Sequence, residues 1–148
     1  MGMLARAIYI ALALAAAPAV AGPAEEASAI VDQWSATYSA NDRDALVKLY
    51  APDALLLGTT DQVATRGTQD IREYFVALDK GGRRNTIKER DVIVLGPEAV
   101  VVAGFYDFAR KEQNYDPRPS RFTMVVVKRD GRWLIAHHHS SPRAATRQ

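Results

Sequence analysis

The hydrophobic positions of this chain change their period near its middle. Ala27, Ile30, Val31, Trp34 and Tyr38 recur at helical spacing as one apolar stripe, which predicts a helix over Ala24 to Ala40. Asn41-Asp42 ends it, and Asp42 or Asp44 is suited to start a short second helix, Ala45 to Tyr50. Pro52-Asp53 reads as a turn, Ala54 to Leu57 as a short apolar strand, and Val63 to Arg66 as a second one. Gly67 breaks the chain. Thr68 then caps a third helix carrying Ile71, Tyr74, Phe75 and Leu78, which Gly81-Gly82 stops; Arg83-Arg84 reads as a solvated loop. From there the period becomes that of strands. Thr86 to Leu95, Ala99 to Arg110, Arg121 to Arg129 and Arg132 to Ser140 form four long ones. Gly96-Pro97 and Asp130-Gly131 are tight turns between neighbours, and Lys111 to Ser120 is a longer polar connection.

Helices followed by an antiparallel meander predict an α+β domain with the helices on one face of the sheet. The late strands are apolar on both faces: Phe122, Met124 and Val126 point one way, Thr123, Val125 and Val127 the other. One layer of helices covers only one of these faces, so the expected cover of the other is a second copy in a homodimer.

Composition changes the picture at the N-terminus. Arg6, the apolar segment Ile8 to Ala17 and the small residues Ala19-Val20-Ala21 have the form of a secretory signal peptide with cleavage after Ala21. The segment is too short and alanine-rich for a good membrane span. The expected organisation is therefore a leader over residues 1–21, one domain over 22–142 and a short tail over 143–148. Localisation in the periplasm is expected, with the extracellular medium as the alternative and no stable membrane insertion after cleavage. Cysteine is absent, which excludes thiol catalysis, cysteine zinc sites and disulfides. The formal charge is only +2, and Arg110-Lys111 and Lys128-Arg129 are isolated pairs, so no nucleic-acid partner is expected.

Chemistry concentrates in His137-His138-His139, which holds every histidine of the chain. On a strand, His137 and His139 share one face and His138 takes the other. Two imidazoles are too few for a metal site of this kind, so neither a metal nor another cofactor is expected. One histidine as general acid or base is better motivated, and His137 and His139 are the candidates, with Asp107 as orienting partner and Asp53 behind it. Asp53 reads more simply as a turn or pairing residue. Ser140 and Ser141 lack the glycine-flanked elbow of a serine nucleophile and read as strand-end hydrogen-bonders. Trp34, Tyr38 and Tyr106 are candidates for an aromatic pocket wall, ordinary core packing being the alternative.

Several segments together resemble a known group. They are Leu49-Tyr50-Ala51-Pro52-Asp53-Ala54, Arg66-Gly67, Arg121-Phe122-Thr123, Gly131-Arg132-Trp133 and the histidine tract with Ser140-Ser141. In this order they resemble the nuclear-transport-factor-2-like superfamily with its SnoaL-like members. The resemblance is closest to bacterial proteins similar to the association domain of calcium/calmodulin-dependent protein kinase II. It implies a cone-shaped α+β barrel with N-terminal helices on a strongly curved mixed or antiparallel sheet, a homodimer, a pocket between helices and sheet, and an arginine near it, here Arg121, for which an interfacial or rim salt bridge is the alternative reading. It does not imply a kinase, because the nucleotide-binding glycine loop and the catalytic loop are both missing. Against the superfamily's ketosteroid isomerase, the catalytic aspartate falls on Gly58 and the oxyanion tyrosine on Trp34. Neither supplies that chemistry, although Tyr38 lies one turn away. The expectation is a small, anionic or aromatic ligand bound in the cone. The alternatives are a cofactor-free isomerase, dehydratase or cyclase, or a pure assembly domain.

Overall fold

The computed structural model describes residues 21–144. Apart from Ala21, the expected leader lies outside the described residues, as does the tail from 145 on. Helix α1 (Pro23–Ala40) begins with proline in its first turn and Glu25 and Glu26 against its positive end. Its buried residues include Ala27, Val31 and Trp34, members of the predicted stripe. Asn41 closes it in the left-handed conformation, with φ of 60°. The Asn41 side chain also donates to Arg83 O (3.1 Å) and accepts from Arg83 N (2.9 Å), pinning the start of a strand to the end of the helix. Helix α2 (Arg43–Val47) is shorter than predicted and is capped by Asp42, whose carboxylate accepts from Ala45 N.

Strand β1 (Tyr50–Leu57) starts four residues before the predicted Ala54, because the Pro52-Asp53 turn is instead an irregularity inside it. Tyr50 faces Ile135 and Leu55 faces His137, so the intervening residues bow out of the ladder, and Pro52 sits there without a required N–H. After β2 (Thr65–Arg66), helix α3 (Gly67–Tyr74) begins without the Thr68 cap: Arg66 precedes it with no side-chain hydrogen bond. The predicted helix continues only as a tighter 3-10 segment, Phe75–Lys80. Strands β3 (Arg83–Gly96), β4 (Ala99–Arg110), β5 (Arg118–Arg129) and β6 (Arg132–Pro142) follow. Arg83-Arg84 is thus strand and not solvated loop.

Among the described residues the strands form one six-stranded sheet of order β2-β1-β6-β5-β4-β3. The meander is antiparallel, but β1 runs parallel to β6, so the sheet is mixed, and β2 and β3 are its free edges, so it is not a closed barrel. The helices lie on its concave face. Inward rows read across the strands as Val100–Val126–Ile135, Val102–Met124–His138 and Gly104–Phe122–Ser140. The apolar residues of the first two rows and Phe122 are buried with Trp34, Leu46, Leu56 and Ile71 in one core, and His138 is buried beside them. Gly104 lets the sheet bend, since a Cβ there would lie 2.1 Å from the Glu89 carbonyl oxygen beside the β3 irregularity. Among the described residues no helix is long and apolar enough to cross a membrane.

Candidate ligand cavity

A cavity of about 350 Å³ opens between the concave face, α1 and the 3-10 segment. Its wall is aromatic, including Trp34, Tyr38, Tyr74, Phe75, Tyr106 and Phe108. Trp34 stacks on Tyr38 and Tyr106 at centroid distances of 5.3 and 6.0 Å, and Phe108 packs against Tyr38 and Tyr106 at 5.3 and 4.7 Å. The aromatic residues proposed from the sequence therefore line the space, and Trp34 and Tyr106 are also core residues, each 1 % exposed.

The histidine tract is placed differently from the expectation. Ile135 faces inward opposite Val126, and plain alternation would carry His137 and His139 inward with it. Ala136 is an extra residue: Val126 pairs with Ile135 but Val125 pairs with His137. This bulge reverses the alternation, because a one-residue shift moves every later side chain to the other face. His138 therefore points into the cavity wall, fully buried, while His137 and His139 stand on the outer face beside Val125 and Thr123.

His138 is held through both ring nitrogens. Tyr50 Oη lies 2.8 Å from Nδ1, and Tyr106 Oη lies 3.2 Å from Nε2. Trp34 Nε1 donates to Tyr50 Oη at 2.8 Å. Tyr106 donates to Ser140 Oγ at 2.6 Å, and Ser140 hydrogen-bonds Thr59 Oγ1. Burial lowers the His138 pKa to about 3, with smaller contributions from His137 and His139, so the ring is neutral. Burial likewise pushes the Tyr106 and Tyr50 hydroxyls well up. Tyr74 is raised to about 12, by burial first and then by Asp61. These phenols are donors at neutral pH and not bases.

Charge gathers toward the end of the cavity formed by β3, β4 and β5. Arg83, Arg110 and Arg118 line it, Arg83 facing Arg110 and Phe108 facing Arg118 across the ladders. Arg83 pairs with Glu112 at 2.9 Å, and the buried Nε atoms of Arg83 and Arg110 have no partner among the described residues. Asp61 is the carboxylate among the cavity residues, in the exposed loop after β1.

Other proposed site residues lie elsewhere. Asp107 alternates outward between Tyr106 and Phe108, faces Thr86 and Pro119, and has Lys88 at 3.8 Å; β4 is not even adjacent to the histidine strand. It cannot orient a cavity histidine. Arg121 is exposed opposite Phe105 and donates to Ser141 Oγ at 2.9 Å, so it too faces away from the cavity. Asp53 pairs with Arg129 at the surface. No group of three or more metal-ligating side chains occurs among the described residues. Gly58, where the isomerase aspartate would fall, has the Tyr74 ring 2.3 Å from where a Cβ would stand. Trp34, at the isomerase's oxyanion tyrosine, uses its N–H on Tyr50.

What sequence reasoning missed is His138, Tyr50, Thr59 and the cluster of Arg83, Arg110 and Arg118. The alternation of β4 could have found Arg110, on the same face as Tyr106 and Phe108; no local signal marks the Ala136 bulge.

A curved mixed sheet with helices on one face and a cavity between defines the cystatin-like, nuclear-transport-factor-2-like class. The SnoaL-like domain model matches residues 27–145, and the chain belongs to that family. It is 34% identical to a candidate calcium/calmodulin-dependent protein kinase II association domain from Xanthomonas campestris, covering 89% of this chain and 95% of that one with a TM-score of 0.76. A candidate dehydratase of the nuclear-transport-factor-2-like family from Streptomyces avermitilis shares the fold at 13% identity and a TM-score of 0.73, over 82% of this chain and 96% of that one. A ketosteroid isomerase-like protein from Erwinia carotovora atroseptica does so at 16% identity and 0.68, over 82% and 97%. No curated protein matches the chain.

Proposed function

We propose that this protein binds a small anion with an aromatic body in its cavity. The observation that carries this reading is an aromatic space of about 350 Å³ bordered by Arg83, Arg110 and Arg118. That volume falls in the range of roughly 300–1,000 Å³ typical of small-molecule sites. Guanidinium groups meet carboxylate or phosphate bidentately, and three of them border this space. Acid–base turnover is less well supported. His138 is spent on two tyrosines, no carboxylate among the described residues orients it, and the isomerase positions hold Gly58 and Trp34.

Titration of the purified protein with benzoate, phenylacetate and phenyl phosphate, followed by tryptophan fluorescence and calorimetry, tests the proposal. A hydrogen-bonded charge pair contributes about 1.5–3 kcal/mol, so Arg110→Gln should weaken binding by about ten- to hundredfold. Absence of saturable binding by all three probes would sink the reading, as would binding that ignores both Arg110→Gln and Arg118→Gln.

The same reading takes the protein to be exported and dimeric. Support for the dimer comes from the outer face of the sheet, where Ile93, Val101, Phe105, Val125 and Val127 lie without cover from the helices.

A further inference from the structure

The hydrogen bonds around His138 form a chain with a fixed direction, and its last hydroxyl faces the cavity. An indole N–H only donates, so Tyr50 Oη accepts from Trp34 and has its own hydrogen to place. His138 Nδ1, 2.8 Å away, is the acceptor within reach. The proton of the neutral ring then sits on Nε2 and is directed at Tyr106 Oη. Tyr106 in turn donates to Ser140. Ser140 is buried and has Thr59 Oγ1 as the acceptor within reach of its own hydrogen, whereas half-buried Thr59 borders the cavity, so Ser140 donates and Thr59 accepts. The opposite tautomer would strand the Tyr50 hydrogen in a buried site and set Nε2 to compete for the Tyr106 hydrogen that Ser140 now receives. A buried unpaired donor is costly, so the geometry selects one order.

From this geometry we infer that Thr59 is a ligand-binding donor, its hydroxyl hydrogen aimed into the cavity to recognise a carbonyl oxygen, with His138 as a positioning residue that sets its direction. The cavity so assigned takes a ligand that carries an acceptor oxygen, and discriminates against one presenting a hydrocarbon or a donor there. The inference deepens the binding reading above but uses a different end of the space: Thr59 and Ser140 belong to the β1 and β6 side, the arginines to β3, β4 and β5. Burial agrees with it, since an imidazolium at this place would meet no carboxylate among the described residues.

Two measurements decide it. The first is the ¹⁵N spectrum of the histidine-labelled protein at neutral pH, with His138 assigned by loss of its signals in His138→Gln. The expected signature is an unprotonated Nδ1 and a protonated Nε2; a protonated Nδ1, alone or with Nε2, overturns the chain order. The second uses acetophenone and ethylbenzene, a neutral pair of similar shape that owes nothing to the arginines. A lost neutral hydrogen bond is about one factor of ten, so the affinity ratio of acetophenone to ethylbenzene should fall about tenfold in Thr59→Val. An unchanged ratio, or no response of the cavity tryptophan to either compound, overturns the Thr59 assignment. Benzoate separates the two readings: its failure beside a Thr59-dependent acetophenone ratio removes the anion and leaves the donor, and the reverse result removes the donor alone.

Discussion

The Tyr50 hydroxyl lies 2.8 Å from His138 Nδ1, joining the first strand of the sheet to the last across 88 residues of chain. The parallel pairing of β1 with β6 makes that contact, and the pair stands between the core and the cavity. Removing the hydroxyl leaves two buried groups without partners, the Trp34 N–H and the His138 Nδ1. Tyr50→Phe should therefore lower stability by about 1–3 kcal/mol for each orphaned group, less any relaxation. Urea denaturation measures this, and a change below about 0.5 kcal/mol would place it with ordinary surface substitutions and contradict the buried network.

Stability should fall with acidification through His138. The unfolded chain binds a proton on this residue near pH 6.5, the folded chain only near 3. Between those values the unfolded state holds more protons, so unfolding becomes easier as pH falls. The contribution is complete above pH 6.5 and is lost toward pH 3. The slope attributable to one such group approaches about 1.4 kcal/mol per pH unit. Denaturation of the protein and of His138→Gln from pH 7 to 4 isolates it from the carboxylates. The variant should show the flatter profile, and parallel profiles would mean that the histidine is not held neutral.

Gly58 is held by its neighbour and not by its backbone. A Cβ there meets the Tyr74 ring at 2.3 to 2.4 Å, closer than any real contact. Gly58→Ala should destabilise the fold by about 1–3 kcal/mol, as overpacking does. Pairing it with Tyr74→Leu should recover part of the loss in a double-mutant cycle, whereas strict additivity would show that the two positions do not touch.

The outer sheet face offers a test of assembly. Val125 lies there between Val101 and His137, half-buried in the single chain. A charge placed at the centre of a buried apolar interface is strongly unfavourable. Val125→Glu should therefore yield a monomer with an unchanged circular dichroism spectrum, read by light scattering. If the unmodified protein is already monomeric at high micromolar concentration, the dimer proposal fails.

How far the sequence reaches is visible in particular residues. The helical stripe from Ala27 to Tyr38 and the turn at Asp130-Gly131, both at positive φ, follow from local rules and appear where they should. The boundary errors have particular causes. Tyr50 pairs with Ile135 of the distant β6, which starts the strand before the Pro52 irregularity, and Phe75 to Leu78 tightens into 3-10 form while keeping Phe75 and Leu78 buried. The resemblance implies Arg121 beside the pocket and the sequence offers Asp107 as a histidine's partner, but alternation puts both on the outer face.

The amino-acid order by itself determined the first helix, the long strands and the aromatic set that could line a cavity. Each depends on periodicity or residue chemistry, which neighbours along the chain suffice to encode. Tertiary structure alone decided which histidine turns inward and which arginines join Arg110 at the cavity. The first rests on one extra residue, Ala136, which a strand accommodates only when its partners hold the register on either side. The second rests on Asn41 and the cross-strand ladder, which carry Arg83 beside Arg110 from residues distant in sequence.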